Sequence, residues 1–319
     1  MRKFNYHHSM QKNEHKTRLI IIVGPTGVGK TEMAIKLARL FNGEIISADS
    51  MQVYRYMDIG TAKPTQDERR TIRHHLIDVV NPDEEFNAAI FNEKSGIIIE
   101  KLYNAGKNIF LVGGTGLYIK TLLGGLFDGP GADKALRDSY TDDVNKHGIG
   151  YLYSRLKDRD AVAAQKIHPH DRVRIVRALE IIESTGESIV TKQEEHRFGQ
   201  KRYKSLTIGL TLDRISLYDR IDRRTAKMIA DGLVEEVEYL LKIGFNGSLK
   251  PMQSMCYKHI HDYIQGTHVL DEAVRLVQRD TRRYAKRQMT WFRRDNNIIW
   301  HHPHDNKAII DEIENFLAV

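Results

Sequence analysis

The chain has 319 residues, 41% of them hydrophobic, enough to bury one large core or one core with a smaller appended unit. Its 49 Lys and Arg against 42 Asp and Glu give a net charge of +7, a lean toward polyanionic partners. No stretch approaches the roughly 20 apolar residues that span a bilayer. The first 17 residues lack the apolar centre of a secretion signal, and a single cysteine, Cys256, excludes an internal disulfide and a multi-cysteine zinc site. A globular cytoplasmic protein with no membrane partner is the expectation.

Residues 1–17 form a polar, His- and Lys-rich extension for which disorder is the default. The apolar run 19–23 predicts a strand, and 32–40 has a helical pattern. Between them Gly24, Pro25, Thr26, Gly27, Val28, Gly29, Lys30 and Thr31 make a full G-x-x-x-x-G-K-T loop. Its glycines let successive backbone N–H groups point at phosphate oxygens, Lys30 adds charge, and the Thr31 hydroxyl is a candidate Mg²⁺ ligand. These eight residues are expected to bind a diphosphate.

A short β-prone run at 44–47 ends in Ala48, Asp49, Ser50, Met51 and Gln52, and another at 108–112 ends in Gly113, Gly114, Thr115 and Gly116. In a parallel α/β sheet the ligand crevice lies at the carboxyl ends of the strands, so Asp49 and Thr115 are expected to converge on the phosphate loop. Asp49 and Ser50 also suit a plain cap on a following helix. The strand at 109–112 carries no carboxylate at its end, where a nucleotide hydrolase has the acid that places Mg²⁺ and water, so water activation is not favoured. A punctuated loop at 58–64, the stretch 73–78, and a helix over 86–104 stopped by Gly106 complete the first segment.

From Gly129 to about Arg197 the strand signal disappears, leaving helical stretches broken at Gly148 and Gly186. Strand character returns at 205–211. Helices follow at 215–231, 234–243 and 270–293, then a strand at 297–300 and a closing helix at 305–317. The predicted organisation is an α/β, P-loop NTPase-like parallel sheet flanked by helices over 18–128 and 200–319, with an all-helical insertion at 129–199. Two basic stretches stand out: Arg172, Arg174 and Arg177 in the insertion, and Arg279, Arg282, Arg283, Lys286 and Arg287 at three- and four-residue spacing on one helix. Each read alone also fits a solvated helix face. The histidines at 7–8, 301–302 and 304 lack patterned acids or cysteines and read as surface residues rather than a metal site.

The strings IISADSMQVY (45–54), MDIGTAKP (57–64), HHLID (74–78), LVGGTGLY (111–118), RALE (177–180) and YAKRQMTWFR (284–293), together with the phosphate loop, closely resemble the bacterial tRNA dimethylallyltransferases, or tRNA isopentenyl transferases. The resemblance covers about Leu19 to Arg294. It implies a monomer that takes dimethylallyl diphosphate on the phosphate loop with Mg²⁺ and moves the prenyl group to N6 of the adenosine just 3′ of the anticodon of tRNA. It makes Asp49 the general base and places Thr115 and Arg137 near the diphosphate and substrate. It also makes the insertion tRNA-binding and gives the anticodon stem-loop the contacts Asp49, Ser50, Met51, Gln52, Val173, Arg174, Ile175, Val176, Arg177, Arg282 and Lys286. With Trp291, Phe292, Arg293 and Arg294, the basic helix is expected to meet the phosphate backbone, making tRNA affinity fall steeply with salt.

Arg137 also fits a solvated helical arginine, and Gln52 an ordinary loop amide. Where the family commonly has Ile-Gly-Tyr-Lys, this chain has Met255, Cys256, Tyr257 and Lys258. A positive φ at that glycine would strain Cys256 by about 1 kcal/mol. Two other functions use parts of the same pattern: prenylation of free adenine nucleotides, which needs the basic helix less, and a small-molecule P-loop kinase.

Overall fold

Strand β1 (Arg18–Val23) is apolar at successive positions because both of its faces are covered: Leu19, Ile21 and Val23 enter one core cluster, Ile20 and Ile22 another. In the computed structural model, which describes residues 17–126, 129–131, 133–196 and 202–318, the chain continues through α1 (Lys30–Leu40), β2 (Gly43–Ser47), α2 (Gln66–Thr71), β3 (His74–His75), α3 (Ala88–Asn104), β4 (Asn108–Val112) and α4 (Gly116–Gly124). Five helices come next: α5 (Lys134–His147), α6 (Ile149–Arg159), α7 (Ala161–Lys166), α8 (Arg172–Thr185) and α9 (Ile189–His196). The last segment holds β5 (Lys204–Leu210), α10 (Arg214–Ala230), α11 (Leu233–Lys242), α12 (Met255–Ile264), α13 (Leu270–Phe292), β6 (Ile298–His301) and α14 (Asn306–Ala318). The extension expected over residues 1–17 lies outside the described residues except for Thr17.

The six strands form one parallel sheet in the order β3-β2-β4-β1-β5-β6. The carboxyl ends of β2, β4 and β1 are therefore neighbours. Their loops are tied by backbone bonds: Ala48 N–H donates to Val112 O at 2.7 Å, Gly113 N–H to Ile22 O at 3.2 Å, and Thr115 N–H to Ala48 O at 3.1 Å. That is why three distant sequence segments meet at one place.

The chain divides into two compact units, Met1–Leu123 with Lys201–Val319, and Gly124–Gln200, against the 129–199 expected from the sequence. The helical unit has its own core of Tyr140, Leu152, Leu156, Ile175, Ala178 and Leu179. The breaks expected at Gly148 and Gly186 are present, both glycines having positive φ, 78° and 72°. In the sheet unit, Arg202 N–H donates to Leu123 O at 3.3 Å, closing the point where the insertion leaves and returns. Among the described residues no helix is long and apolar enough to cross a membrane.

Four elements escaped the sequence pattern: β3, which is two residues long; α2, which buries nothing and is held by a Thr65/Glu68 capping box; α4; and α12. The last corrects the strain expected at Cys256. That residue is the second of α12, has no positive φ, and packs half-buried against the larger core, which pushes its thiol up to about 11.

Candidate active site

Helix α1 starts at Lys30 with Gly29 as its N-cap in the left-handed region (φ 105°), and no side chain caps it. The open N–H groups of its first turn and the positive end of its dipole make an anion cradle. Within the loop, Val28 is buried in the core and Pro25 has no N–H, so of the eight expected residues these two act only through their backbone turn. Thr26 N–H is already taken: it donates to Gln288 Oε1 of α13 at 2.8 Å, while Gln288 Nε2 donates to Gly114 O at 3.0 Å. Lys30 folds back onto its own loop, donating to Gly24 O and Pro25 O, both at 2.9 Å.

Burial lowers the Lys30 pKa to about 8, with Asp49 opposing the shift and Arg224 adding to it. Diphosphate needs the ammonium, so its affinity for the free enzyme should be steady below pH 8 and fall above it, by at most about tenfold per pH unit. Calorimetric titration with inorganic diphosphate between pH 7 and 9.5 checks this. A flat profile would mean that Lys30 keeps its proton throughout or does not contribute.

The loop opens onto a cavity of about 440 Å³ whose lining includes Thr26, Gly27, Gly29, Lys30, Thr31, Ser47, Asp49 and Gln52. Asp49 sits just past β2 in a tight turn, its Oδ1 accepting from Met51 N–H at 2.8 Å and Gln52 N–H at 3.4 Å. The cap reading was thus half correct, a turn rather than a helix. Oδ2 accepts no hydrogen bond from a described residue, so one oxygen fixes the side chain and the other is available. Thr115 Oγ1 accepts from Ser50 N–H at 3.0 Å, bracing the same turn, and Tyr284 of α13 lies beside it. Tyr284 is pushed up to about 12 by burial and by Asp49, with Arg287, Gln288 and Thr115 opposing the shift, so its phenol stays neutral.

Two arginines of α10 were missed by the sequence reading. Arg220 donates to Val28 O at 3.2 Å and Arg224 to Thr26 Oγ1 at 3.4 Å, and both line the cavity. Their four-residue spacing on one helix face was the available signal. The cavity lining thus carries four cations, Lys30, Lys63, Arg220 and Arg224, and three carboxylates, Glu32, Asp49 and Glu68; Lys30, Arg220 and Arg224 with the helix N-terminus gather at the loop, which suits a diphosphate beside the proton acceptor Asp49. Thr31 and Asp49 offer hard oxygen donors there, and Mg²⁺ is commonly held by one or two protein oxygens together with substrate phosphates. The donor set fits that ion.

Several expected contacts change role. Gln52 is committed on both ends of its amide, accepting from Ser47 Oγ at 3.0 Å and donating to Ala62 O at 3.2 Å. Ile175 is fully buried and Val176 packs on the same core, whereas Val173 is 80% exposed. Residues 173–177 cover more than one helical turn and cannot all face one partner. Arg174 pairs with Asp171, and Arg177 with Glu180 and Pro130 O. Arg137 is held bidentately by Glu180, at 2.6 and 2.9 Å, a structural engagement within the helical unit.

On α13, Asp222 takes Arg282 while Asp280 takes Arg279 and Arg283; Lys286 and Arg287 remain exposed, with no carboxylate partner among the described residues. Phe292 is core, whereas the Trp291 indole lies against Gly116 and stays 37% exposed.

The profile of the IPP transferase family matches residues 52–295. The chain belongs to this family. It is 53% identical to tRNA dimethylallyltransferase 2 of Syntrophus aciditrophicus over 95% of its own length and 97% of the relative's. Among solved structures it resembles the full-length tRNA isopentenylpyrophosphate transferase of Bacillus halodurans, with TM-score 0.69, 42% identity, and 95% and 96% of the two chains covered. A eukaryotic dimethylallyltransferase acting on tRNA gives TM-score 0.78 at 28% identity, over 95% of this chain and 80% of that one.

Proposed function

We propose that this chain transfers the dimethylallyl group of dimethylallyl diphosphate to N6 of the adenosine 3′-adjacent to the anticodon in tRNA, in the cytoplasm and as a monomer. The observation that carries the reading is Asp49 with Oδ1 pinned and Oδ2 accepting from no described residue, in one cavity with an uncapped helix N-terminus. The α1 amides, Lys30, Arg220 and Arg224 take the charge that develops on diphosphate as the allylic C–O bond breaks. The adenine amine forms the new N–C bond and gives its proton to Asp49 Oδ2. Thr31 would hold Mg²⁺, which when bound would supply further charge neutralisation on the phosphates. Thr115 braces the turn that carries Asp49. An adenosine leaves a single-stranded loop at less cost than a duplex, and Lys286 and Arg287 offer charge to the loop's phosphates.

The test is an incubation with radiolabelled dimethylallyl diphosphate and either unmodified tRNA or AMP, and a separate one with ATP alone. Label should pass to tRNA only. Label on AMP would make the chain an adenylate prenyltransferase, and a phosphorylated product from ATP a kinase.

A further inference from the structure

Helix α11 carries Glu236, whose carboxylate receives four donors. Its Oε2 accepts from the N–H groups of Asp58 at 2.8 Å and Ile59 at 2.7 Å, and its Oε1 from Gly60 N–H at 3.0 Å and the Tyr257 hydroxyl at 2.6 Å. Three successive amides converging on one anion form a nest, here filled by the protein's own side chain. Tyr257 is fully buried and its phenol is held well above its ordinary value by burial and by Glu236, so it always donates. A Cβ on Gly60 would lie 2.7 Å from the Tyr257 ring, so only glycine allows this approach.

The clamped loop continues directly into the site. Thr61 O and Ala62 O accept from Gln52 Nε2 at 3.5 and 3.2 Å, and Gln52 N–H in turn bonds Asp49 Oδ1. Thr61, Ala62, Lys63 and Pro64 also wall the cavity. A continuous set of hydrogen bonds therefore runs from Glu236 through the 58–62 loop and Gln52 to Asp49, while the phosphate loop is held separately by Arg220, Arg224 and Gln288.

We propose that Glu236 is a positioning residue for the reaction: it sets the orientation of Asp49 through the 58–62 loop and Gln52, and leaves prenyl diphosphate binding to other residues. This rests on Asp49 acting as the base. The test is steady-state and single-turnover prenylation of unmodified tRNA by Glu236→Ala, Tyr257→Phe, Asp49→Asn and the double variant Asp49→Asn/Glu236→Ala. Glu236→Ala should lower kcat on the order of 10²-fold, with KM for dimethylallyl diphosphate within about twofold of the parent. Tyr257→Phe, which keeps the packing, should give a smaller loss in kcat of the same kind and carries the test if Glu236→Ala does not fold.

In the Asp49→Asn background, removing Glu236 should cost less than about threefold, because the group it orients is gone. A full additional loss there, or a loss confined to KM, overturns the proposal. An unimpaired Asp49→Asn enzyme would instead remove the base assignment, a distinct result.

Discussion

Asp49→Ala should prenylate tRNA on the order of 10² to 10⁴ times more slowly than the parent, the usual range for losing a general base. Alanine removes two things at once, the Oδ2 that accepts from no described residue and the Oδ1 that holds Met51 and Gln52 N–H. The Asp49→Asn variant separates them, since its amide oxygen can still close the turn while its nitrogen cannot take a proton. If the rate depends on the proton acceptor, Asp49→Asn stays close to alanine. If the turn alone matters, asparagine recovers most of the rate. A single-turnover measurement with saturating tRNA decides, and an unimpaired Asp49→Ala enzyme ends the case for this residue.

Gly113→Ala is the second large effect. A Cβ at Gly113 would lie 2.1 Å from Ala48 O and 2.4 Å from its carbonyl carbon, both backbone atoms of the segment that leads into Asp49. Backbone cannot swing away, so β2 and β4 must separate at their carboxyl ends, at about 1–3 kcal/mol of stability. The shift falls next to the reacting groups and should cost on the order of 10² in kcat. Gly114→Ala is the informative comparison. Its Cβ would meet Gln288 Nε2 at 2.1 Å, the end of a side chain that can move. The fold should tolerate it better, while Thr26 N–H loses its partner and diphosphate binding weakens. Thermal melting with parallel rate measurements checks both; equal melting temperatures for Gly113→Ala and the parent would mean that the strands yield freely.

The helical unit shows where one-dimensional reading stops. The alternation of positive and apolar residues over 173–177 is visible in the chain, yet Ile175 turns inward and Arg177 bonds Glu180, because helical geometry distributes neighbours around the axis. Likewise the basic spacing on α13 is real, but Asp222 arrives from α10, 60 positions away, to take Arg282. A positive residue in a sequence does not disclose which carboxylate packing will bring to it.

By itself the sequence determined the phosphate loop, the two strand ends carrying Asp49 and Thr115, the parallel α/β core and the helical insertion. These are local: a loop that binds through consecutive amides, and strands read by a run of apolar residues, need no information from elsewhere in the chain. Only the tertiary structure decided what holds that site in shape. Gln288 reaches Thr26 across 262 positions, Arg220 reaches Val28 across 192, and Glu236 reaches Asp58 across 178. Such partners are chosen by which helix packs over which strand end, a property of the folded core that no single segment encodes.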